Sequence, residues 1–166
     1  MPFHRRELPV TLSKLLLAVS VLGACTPANA PPCAAAPVIE RNKEVAARVF
    51  SEILGAGHFE LAATLYAPSF VNHASAAGVG LAEDQAAAKA LRAMYPDATI
   101  HVLRMVGEGE FVSVLWHAAG THTGAIEGVP ATGKKVDASG ITIWRLVDGR
   151  ITDEWSQFPD PTTIEK

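Results

Sequence analysis

The last third of the chain alternates between apolar and polar residues and is interrupted by glycine-containing turns. After Pro96 the hydrophobic period becomes two, and strands are predicted over 99–106, 111–123, 135–146 and 150–158. Gly107-Glu108-Gly109 and Asp148-Gly149 are hairpin signals, because glycine readily adopts the positive φ of tight turns. This region therefore predicts the back half of an antiparallel sheet.

The segment before Pro96 has a helical period instead. Val45, Val49 and Ile53 are spaced by four and form one apolar face of a helix that begins near Glu40. Two further helices are predicted over 59–66 and 81–94. Helices followed by a strand meander predict an α+β fold, in which the helices cover one face of the sheet.

The N-terminus has the pattern of an export signal. Basic side chains precede a ten-residue apolar run that ends in Leu22-Gly23-Ala24-Cys25, the form of a bacterial lipobox. We therefore predict a signal peptide over 1–24, lipidation of Cys25, and a lipid anchor on the periplasmic side of the outer membrane. The alternative is an ordinary signal cut after Ala28-Asn29-Ala30, which would give a secreted or soluble periplasmic protein.

A short tether separates the predicted anchor from the domain. Residues 25–37 are rich in Pro and Ala and lack periodicity, so one domain is predicted over 38–166. The only cysteines, Cys25 and Cys33, lie in this tether, which excludes a disulfide inside the domain. If Cys25 is acylated, Cys33 is either a free thiol or part of an intermolecular bridge.

The charge balance argues against nucleic-acid partners. The first 24 residues hold three of the 14 basic and one of the 17 acidic side chains, so the remainder has 11 basic and 16 acidic groups and a net charge of -5. No basic stripe is present, so we expect no nucleic-acid binding. We also predict no dedicated metal site, because the histidines lack a tight ligand spacing.

Several motifs carry a family resemblance. The segments are Tyr66-Ala67-Pro68-Ser69-Phe70-Val71-Asn72-His73, Tyr95-Pro96-Asp97, Gly107-Glu108-Gly109 and the C-terminal block from Gly120 to Trp155. Together they resemble the SnoaL-like polyketide cyclases of the nuclear transport factor 2 superfamily. The resemblance implies a cone in which three N-terminal helices and a curved antiparallel sheet enclose a pocket. It also implies work without a cofactor, and it leaves a homodimer open, because related domains commonly pair through sheet faces.

The resemblance also bears on the chemistry. In cofactor-independent polyketide cyclases an acid/base aspartate follows the tryptophan of the last strand, whereas here Ser156 follows Trp155. A serine hydroxyl cannot take that proton unaided. Glu154 shares the strand face of Ser156 and is the nearest replacement, since an apolar wall raises a carboxyl pKa. The alternative is a glutamate at the sheet rim bonded to Arg145 or Arg150.

His73 occupies the position that resembles the family's histidine. A neutral imidazole there could polarise a carbonyl or pass a proton, or it could bond nearby backbone and fix the loop. We therefore predict His73 and Glu154 as the catalytic residues. The predicted substrate-binding residues come from the same region and from strand faces: Tyr66, Leu115, His117, Ser156 and Phe158.

Two functions remain open at this point. The first is a lipid-anchored enzyme that isomerises, cyclises or hydrates a small, largely apolar molecule by acid/base chemistry. The second is a non-catalytic domain of the cell envelope that binds a small ligand or a protein. An isolated carboxylate among apolar pocket walls would favour the enzyme, whereas a dry apolar cavity or a filled one would favour the binding domain.

Overall fold

The computed structural model describes residues 35–160. In this part of the chain three helices pack on a six-stranded mixed sheet with the strand order β2-β1-β6-β5-β4-β3. The α+β prediction is therefore confirmed. The predicted signal peptide, Cys25, Cys33 and almost all of the tether lie outside the described residues.

The first helix, α1, spans Ala35–Arg48 and continues as a π-helical turn over Val49–Gly55. It begins five residues before Glu40, so Ala35, Ala36 and Pro37 are helical rather than part of the tether. Proline fits there, because the first turn of a helix has no partners for its N–H groups. The predicted apolar face is confirmed, since Val49, Phe50 and Ile53 are buried.

A single 3₁₀ turn over Phe59–Leu61 leads into α2, which spans Ala62–Leu65. The predicted helix over 59–66 is thus present as two short pieces. At Tyr66 the chain enters β1, Tyr66–Asn72, and after a loop it forms β2, Val79–Gly80. Neither strand was predicted from the sequence.

The pairing of β1 changes the nature of the sheet. β1 pairs antiparallel with β2 and parallel with β6, with Asn72 opposite Glu154, so the sheet is mixed rather than antiparallel as predicted. The register shifts between Tyr66 and Val71, where Pro68 and Ser69 are exposed. This irregularity hides the period of two that would have revealed a strand.

The remaining elements follow the sequence prediction closely. The third helix, α3, spans Leu81–Met94, and it is followed by four strands in an antiparallel meander. These are β3 Thr99–Glu108, β4 Phe111–Thr121, β5 Lys135–Val147 and β6 Arg150–Gln157. The β5–β6 turn has φ of 52° at Asp148 and 75° at Gly149, which fits a type I′ hairpin.

The core lies between the helices and the inner face of the sheet. The π-helical turn brings Phe50 against Trp144, with ring centroids 5.4 Å apart, and against Trp116 at 6.5 Å. The cluster extends along three strands through Val112, Val114, Leu146 and Ile151.

In the part of the chain that the structure describes, every helix is too short or too polar to span a membrane.

Candidate functional site

A cavity of about 440 Å³ opens between the π-helical turn, α3 and the inner face of the sheet. Most of its lining is apolar. Its aromatic members are Phe50, Phe59, Tyr66, Tyr95, Trp116, Trp144 and Phe158. Its volume lies within the range of known small-molecule pockets.

The alternation of β6 determines which of its side chains reach the cavity. Glu154 and Ser156 line the cavity, whereas Trp155 lies on the outer face of the sheet. Successive strand residues point to opposite faces, so the predicted pairing of Glu154 with Ser156 follows from backbone geometry. The structure thus brings both residues to the cavity, and their chemical roles remain predictions.

Glu154 is surrounded by three hydrogen-bond donors. The Trp144 Nε1–H donates to its Oε2 at 2.8 Å, the Ser156 hydroxyl donates to Oε1 at 2.7 Å, and the Asn72 amide donates to Oε1 at 3.3 Å. Its partners are therefore cavity residues, not Arg145 or Arg150. Arg145 instead pairs with Glu110 and Asp153.

A second carboxylate stands near Glu154. Asp84, in the first turn of α3, accepts from Asn72 Nδ2 at 2.8 Å and from Gln85 Nε2 at 3.3 Å. The Asn72 amide nitrogen therefore bridges Asp84 and Glu154. We refer to Asn72, Asp84, Thr142, Glu154 and Ser156 as the polar cluster.

Burial and like charge determine the ionisation of this cluster. Desolvation raises the pKa of Glu154, and the nearby Asp84 carboxylate raises it further against the hydrogen bonds from Trp144 and Ser156. Desolvation likewise raises the pKa of Asp84. Two carboxyl groups in a mostly apolar cavity hold their protons to a higher pH than exposed ones.

A chain of hydroxyl groups extends from Glu154 along the cavity wall. The Ser156 Oγ lies 2.9 Å from the Thr142 Oγ1, which accepts from the Trp116 Nε1–H at 3.1 Å. The Trp116 indole can pack directly against residue 140, because residue 140 is a glycine and has no Cβ. A Cβ on Gly140 would lie 2.4 Å from Trp116 Cζ2 and 2.8 Å from Phe158 Cβ.

Two of the predicted substrate-binding residues also line the cavity. Tyr66 is buried and packs edge-on against Phe70, with ring centroids 4.9 Å apart. Burial raises its pKa well above the usual value, and the charges of Glu154 and Asp84 add to this, so its hydroxyl stays protonated. Phe158 lines the cavity beside Trp116, with ring centroids 5.6 Å apart.

His73 does not line the cavity, contrary to prediction. Its ring stacks on Trp155 at 4.7 Å on the outer face of the sheet, and its Nε2 lies 2.9 Å from the Asp153 Oδ1. Its backbone N–H bonds the Glu154 carbonyl oxygen. Since β1 runs beside β6 with Asn72 opposite Glu154, Asn72 enters the cavity and the next residue turns outward.

Leu115 and His117 are also wrongly placed by the sequence prediction. The cavity is lined by Trp116 and Ala118, whereas Leu115 and His117 lie on the opposite face of β4. There His117 Nε2 lies 2.8 Å from Asp137 Oδ1. Leu115 and His117 do share one face of β4, but that face is the outer one, and Trp116 between them faces the core.

Sequence reasoning missed Asp84, Asn72 and Thr142. Asp84 has the sequence context of an acidic residue that stabilises a helix N-terminus, and nothing local marks it as a cavity residue. Thr142 shares strand parity with the core residue Trp144, which was an available signal. Asn72 could have been found only by recognising β1 as a strand. Within residues 35–160 no group of three or more metal-ligating side chains is present.

The fold, in which three helices pack on a six-stranded mixed sheet, is that of the nuclear transport factor 2-like class. The chain belongs to the SnoaL-like polyketide cyclase family, whose sequence model matches residues 44–165.

Solved structures agree with this assignment. IdmH from Streptomyces antibioticus, a candidate polyketide cyclase, is 26% identical with a TM-score of 0.63, over 74% of this chain and 94% of that one. A candidate SnoaL-like polyketide cyclase from Jannaschia sp. CCS1 is 24% identical with a TM-score of 0.66, over 74% and 88%. AclR from Streptomyces galilaeus, a candidate hydroxylase, is 19% identical with a TM-score of 0.68, over 76% and 80%. The last two likenesses concern the fold alone. No curated protein is significantly similar in sequence.

Proposed function

We propose that the cavity binds a small, largely apolar molecule and that Glu154 is the general base and acid for its isomerisation, cyclisation or hydration. The observation that supports this most is a pair of carboxyl groups, Glu154 and Asp84, in a cavity whose walls are mostly apolar. A carboxylate with a raised pKa is a stronger base than an exposed one, and its conjugate acid persists nearer to neutral pH.

The polar cluster also limits which molecule fits. A ligand that approaches Glu154 and Asp84 meets negative charge and hydrogen-bond acceptors. Hydroxyl, enol or ammonium groups are therefore favoured at this position, whereas a ligand carboxylate is repelled. Arg92 lines the cavity but its Nη1 donates to the Leu54 and Gly55 carbonyl oxygens, where it caps the π-helical turn.

A second candidate function is binding without catalysis. The carboxylate oxygens of Glu154 and Asp84 already accept hydrogen bonds from protein donors. Such a satisfied network can stabilise a fold and shape a pocket without transferring a proton.

The test begins with thermal-shift screening of planar polyketide-like, steroid-like and terpenoid compounds, followed by turnover assays on the compounds that bind. Glu154→Gln keeps the shape and removes the base, so the rate should fall by ~10²–10⁴-fold with little change in binding. Asp153→Asn is the matched control, because Asp153 is the neighbouring carboxylate on the outer face. Turnover at an unchanged rate in Glu154→Gln would refute the acid/base role, and binding without turnover would favour the second function.

We further propose that the protein is exported and anchored by lipid on Cys25, with the outer membrane as its location. The support is the Leu22-Gly23-Ala24-Cys25 run behind a basic start. The intact mass of the native protein tests this. An acylated chain that begins at Cys25 is expected, and a chain that begins at Pro31 without acyl mass would refute it.

A further inference from the structure

Donor and acceptor can be assigned for each hydrogen bond from Trp116 through Thr142 and Ser156 to Glu154. The Trp116 indole can only donate, so the Thr142 Oγ1 accepts from it. The Ser156 hydroxyl uses its single hydrogen on Glu154 Oε1, so the hydrogen between Ser156 and Thr142 belongs to Thr142. While Glu154 is ionised, both O–H bonds therefore point toward its carboxylate.

Protonation of Glu154 on Oε1 would reverse this direction. The carboxyl O–H would donate to Ser156 Oγ, and the Ser156 hydroxyl would then turn toward Thr142 Oγ1. Thr142 would accept from both Trp116 and Ser156, so its own hydrogen would be directed into the cavity. A hydroxyl can make this change by rotation alone, because it is both a donor and an acceptor.

We propose that Ser156 and Thr142 form a proton relay through which Glu154 exchanges a proton with a ligand at the Thr142 hydroxyl. The proposal rests on the acid/base function proposed for Glu154 and identifies where that function meets the ligand. It also explains how a serine serves in this position of β6. Ser156 does not hold the proton; it passes the proton to a carboxylate 2.7 Å away.

The proton movement balances along the chain. A ligand C–H or O–H bond breaks and its proton joins Thr142 Oγ1, while Thr142 passes its own proton to Ser156 and Ser156 passes its own to Glu154 Oε1. The ligand keeps the electron pair of the broken bond and becomes an enolate or alkoxide. The reverse sequence returns a proton from Glu154 to another ligand atom, so no other reactant is consumed.

The geometry favours this route. Glu154 Oε1 already accepts from Ser156 and Asn72, and Oε2 accepts from Trp144, so three protein donors occupy the carboxylate. Thr142 and Ser156 both line the cavity. The two steps of the relay span 2.9 Å and 2.7 Å, which are ordinary O–H···O distances.

The three tryptophan indoles of the chain allow a test that needs no ligand. Trp144 bonds Glu154 directly, Trp116 bonds the far end of the relay, and Trp155 lies on the outer face against His73. Indole ¹H–¹⁵N resonances of the full protein are followed by NMR against pH. The measurement is made in the Asp84→Asn background, because the charge of Asp84 acts on Glu154. Tyr66, the other titratable group that interacts with Glu154, stays protonated because its pKa is raised.

The relay predicts that Trp144 and Trp116 titrate with one shared midpoint. Ser156→Ala should abolish the Trp116 titration and leave that of Trp144, because only the link is removed. Thr142→Val should have the same effect on Trp116, whereas Thr142→Ser should preserve its titration. Trp155 should not follow this midpoint in any variant, and the retained Trp144 signal reports that each variant is folded.

Two results would overturn the relay. One is a Trp116 resonance that does not respond at the Trp144 midpoint in the starting protein. The other is a Trp116 titration of full size in Ser156→Ala, which would mean that the carboxylate acts on Trp116 through space. Either result would refute the relay alone, and the turnover of Glu154→Gln would still decide the role of Glu154. If the relay is confirmed but Glu154→Gln turns over at the full rate, the proposed acid/base function is refuted.

Discussion

Asp153 and Glu154 are neighbours in β6, yet the fold shifts their pKa values in opposite directions. The hydrogen bond from His73 holds the pKa of Asp153 below its usual value on the outer face. Desolvation and the charge of Asp84 raise the pKa of Glu154 in the cavity. Because the two side chains lie on opposite faces of the strand, ionised Asp153 stabilises the folded state, whereas ionisation of Glu154 destabilises it.

Replacing Asp84 should make the protein more stable at neutral pH. A carboxyl with a raised folded pKa binds its proton more tightly in the native than in the unfolded state, so stability falls as pH rises from the unfolded toward the folded pKa. Asp84→Asn removes that penalty and lowers the pKa of Glu154. Urea unfolding should show a gain for Asp84→Asn at neutral pH and a smaller gain at acid pH. An equal gain at both would contradict the ionisation argument.

Replacing Gly140 should disturb the packing of Trp116 in the cavity wall. A methyl group there would overlap Trp116, and that would displace the indole from Thr142. Gly140→Ala should therefore destabilise the protein by about 1–3 kcal/mol, the usual cost of overpacking. Urea unfolding measures this, with Ser139→Ala on the exposed side of the same strand as the control. A loss in the control as large as that of Gly140→Ala would point to strand propensity instead.

How well each element could be predicted depended on how regular it is. The strands β3 to β6 were found because long stretches of each alternate regularly, although register shifts interrupt β3 after Val102 and the β5–β6 pair after Arg145, and because Gly109 and Asp148-Gly149 mark the turns. The helix α3 was found because Gly80 and Pro96 bound an alanine-rich, amphipathic segment. β1 was missed because Pro68 lies in a register shift, and its parallel pairing with β6 joins segments about eighty residues apart.

The regularity of each element also decided which residues of the candidate site could be predicted. Glu154, Ser156 and Phe158 line the cavity as predicted, because the end of β6 after its register shift alternates regularly. His73 was misplaced and Asn72 overlooked because both depend on β1. Asp84 comes from a helix whose orientation over the sheet is set by tertiary packing, and no local pattern encodes that orientation.

The β5–β6 hairpin can be tested as an element. Both central turn residues have positive φ, a conformation that costs a residue with a Cβ more than it costs glycine. Gly149→Ala should lower stability by ~1 kcal/mol, whereas Asp148→Gly at the adjacent position should be near neutral. The comparison is made by urea unfolding. Equal losses from the two substitutions would show that turn conformation is not what positions β6.

For the described domain as a whole, the two faces of the sheet have different roles. The inner face holds the cavity, and the outer face exposes large apolar side chains, including Phe111, Ile141, Ile143 and Trp155. Phe111 and Trp155 are near each other, with ring centroids 6.4 Å apart. An apolar patch of this kind is a feature of protein interfaces. We propose that a second copy of the chain covers it.

The homodimer can be tested by light scattering coupled to size exclusion. The unmodified protein should elute with twice the chain mass, and Ile143→Lys should elute as a monomer, because a buried unpaired charge opposes association. Lys89→Glu on α3 is the control for a change of charge elsewhere. A monomer for the unmodified protein, or an undisturbed dimer for Ile143→Lys, would contradict this interface.

If the fold gives Glu154 the properties of a cavity base, its side-chain carboxyl should show this directly in ¹³C NMR. We expect a titration midpoint above the ~4.3 of an unperturbed glutamate and a return toward that value in Asp84→Asn. Asp153, observed in the same spectra, should titrate below its own usual value. A Glu154 midpoint at or below that of an ordinary glutamate would contradict the claim, because the cavity carboxylate would then be no stronger a base than one in water.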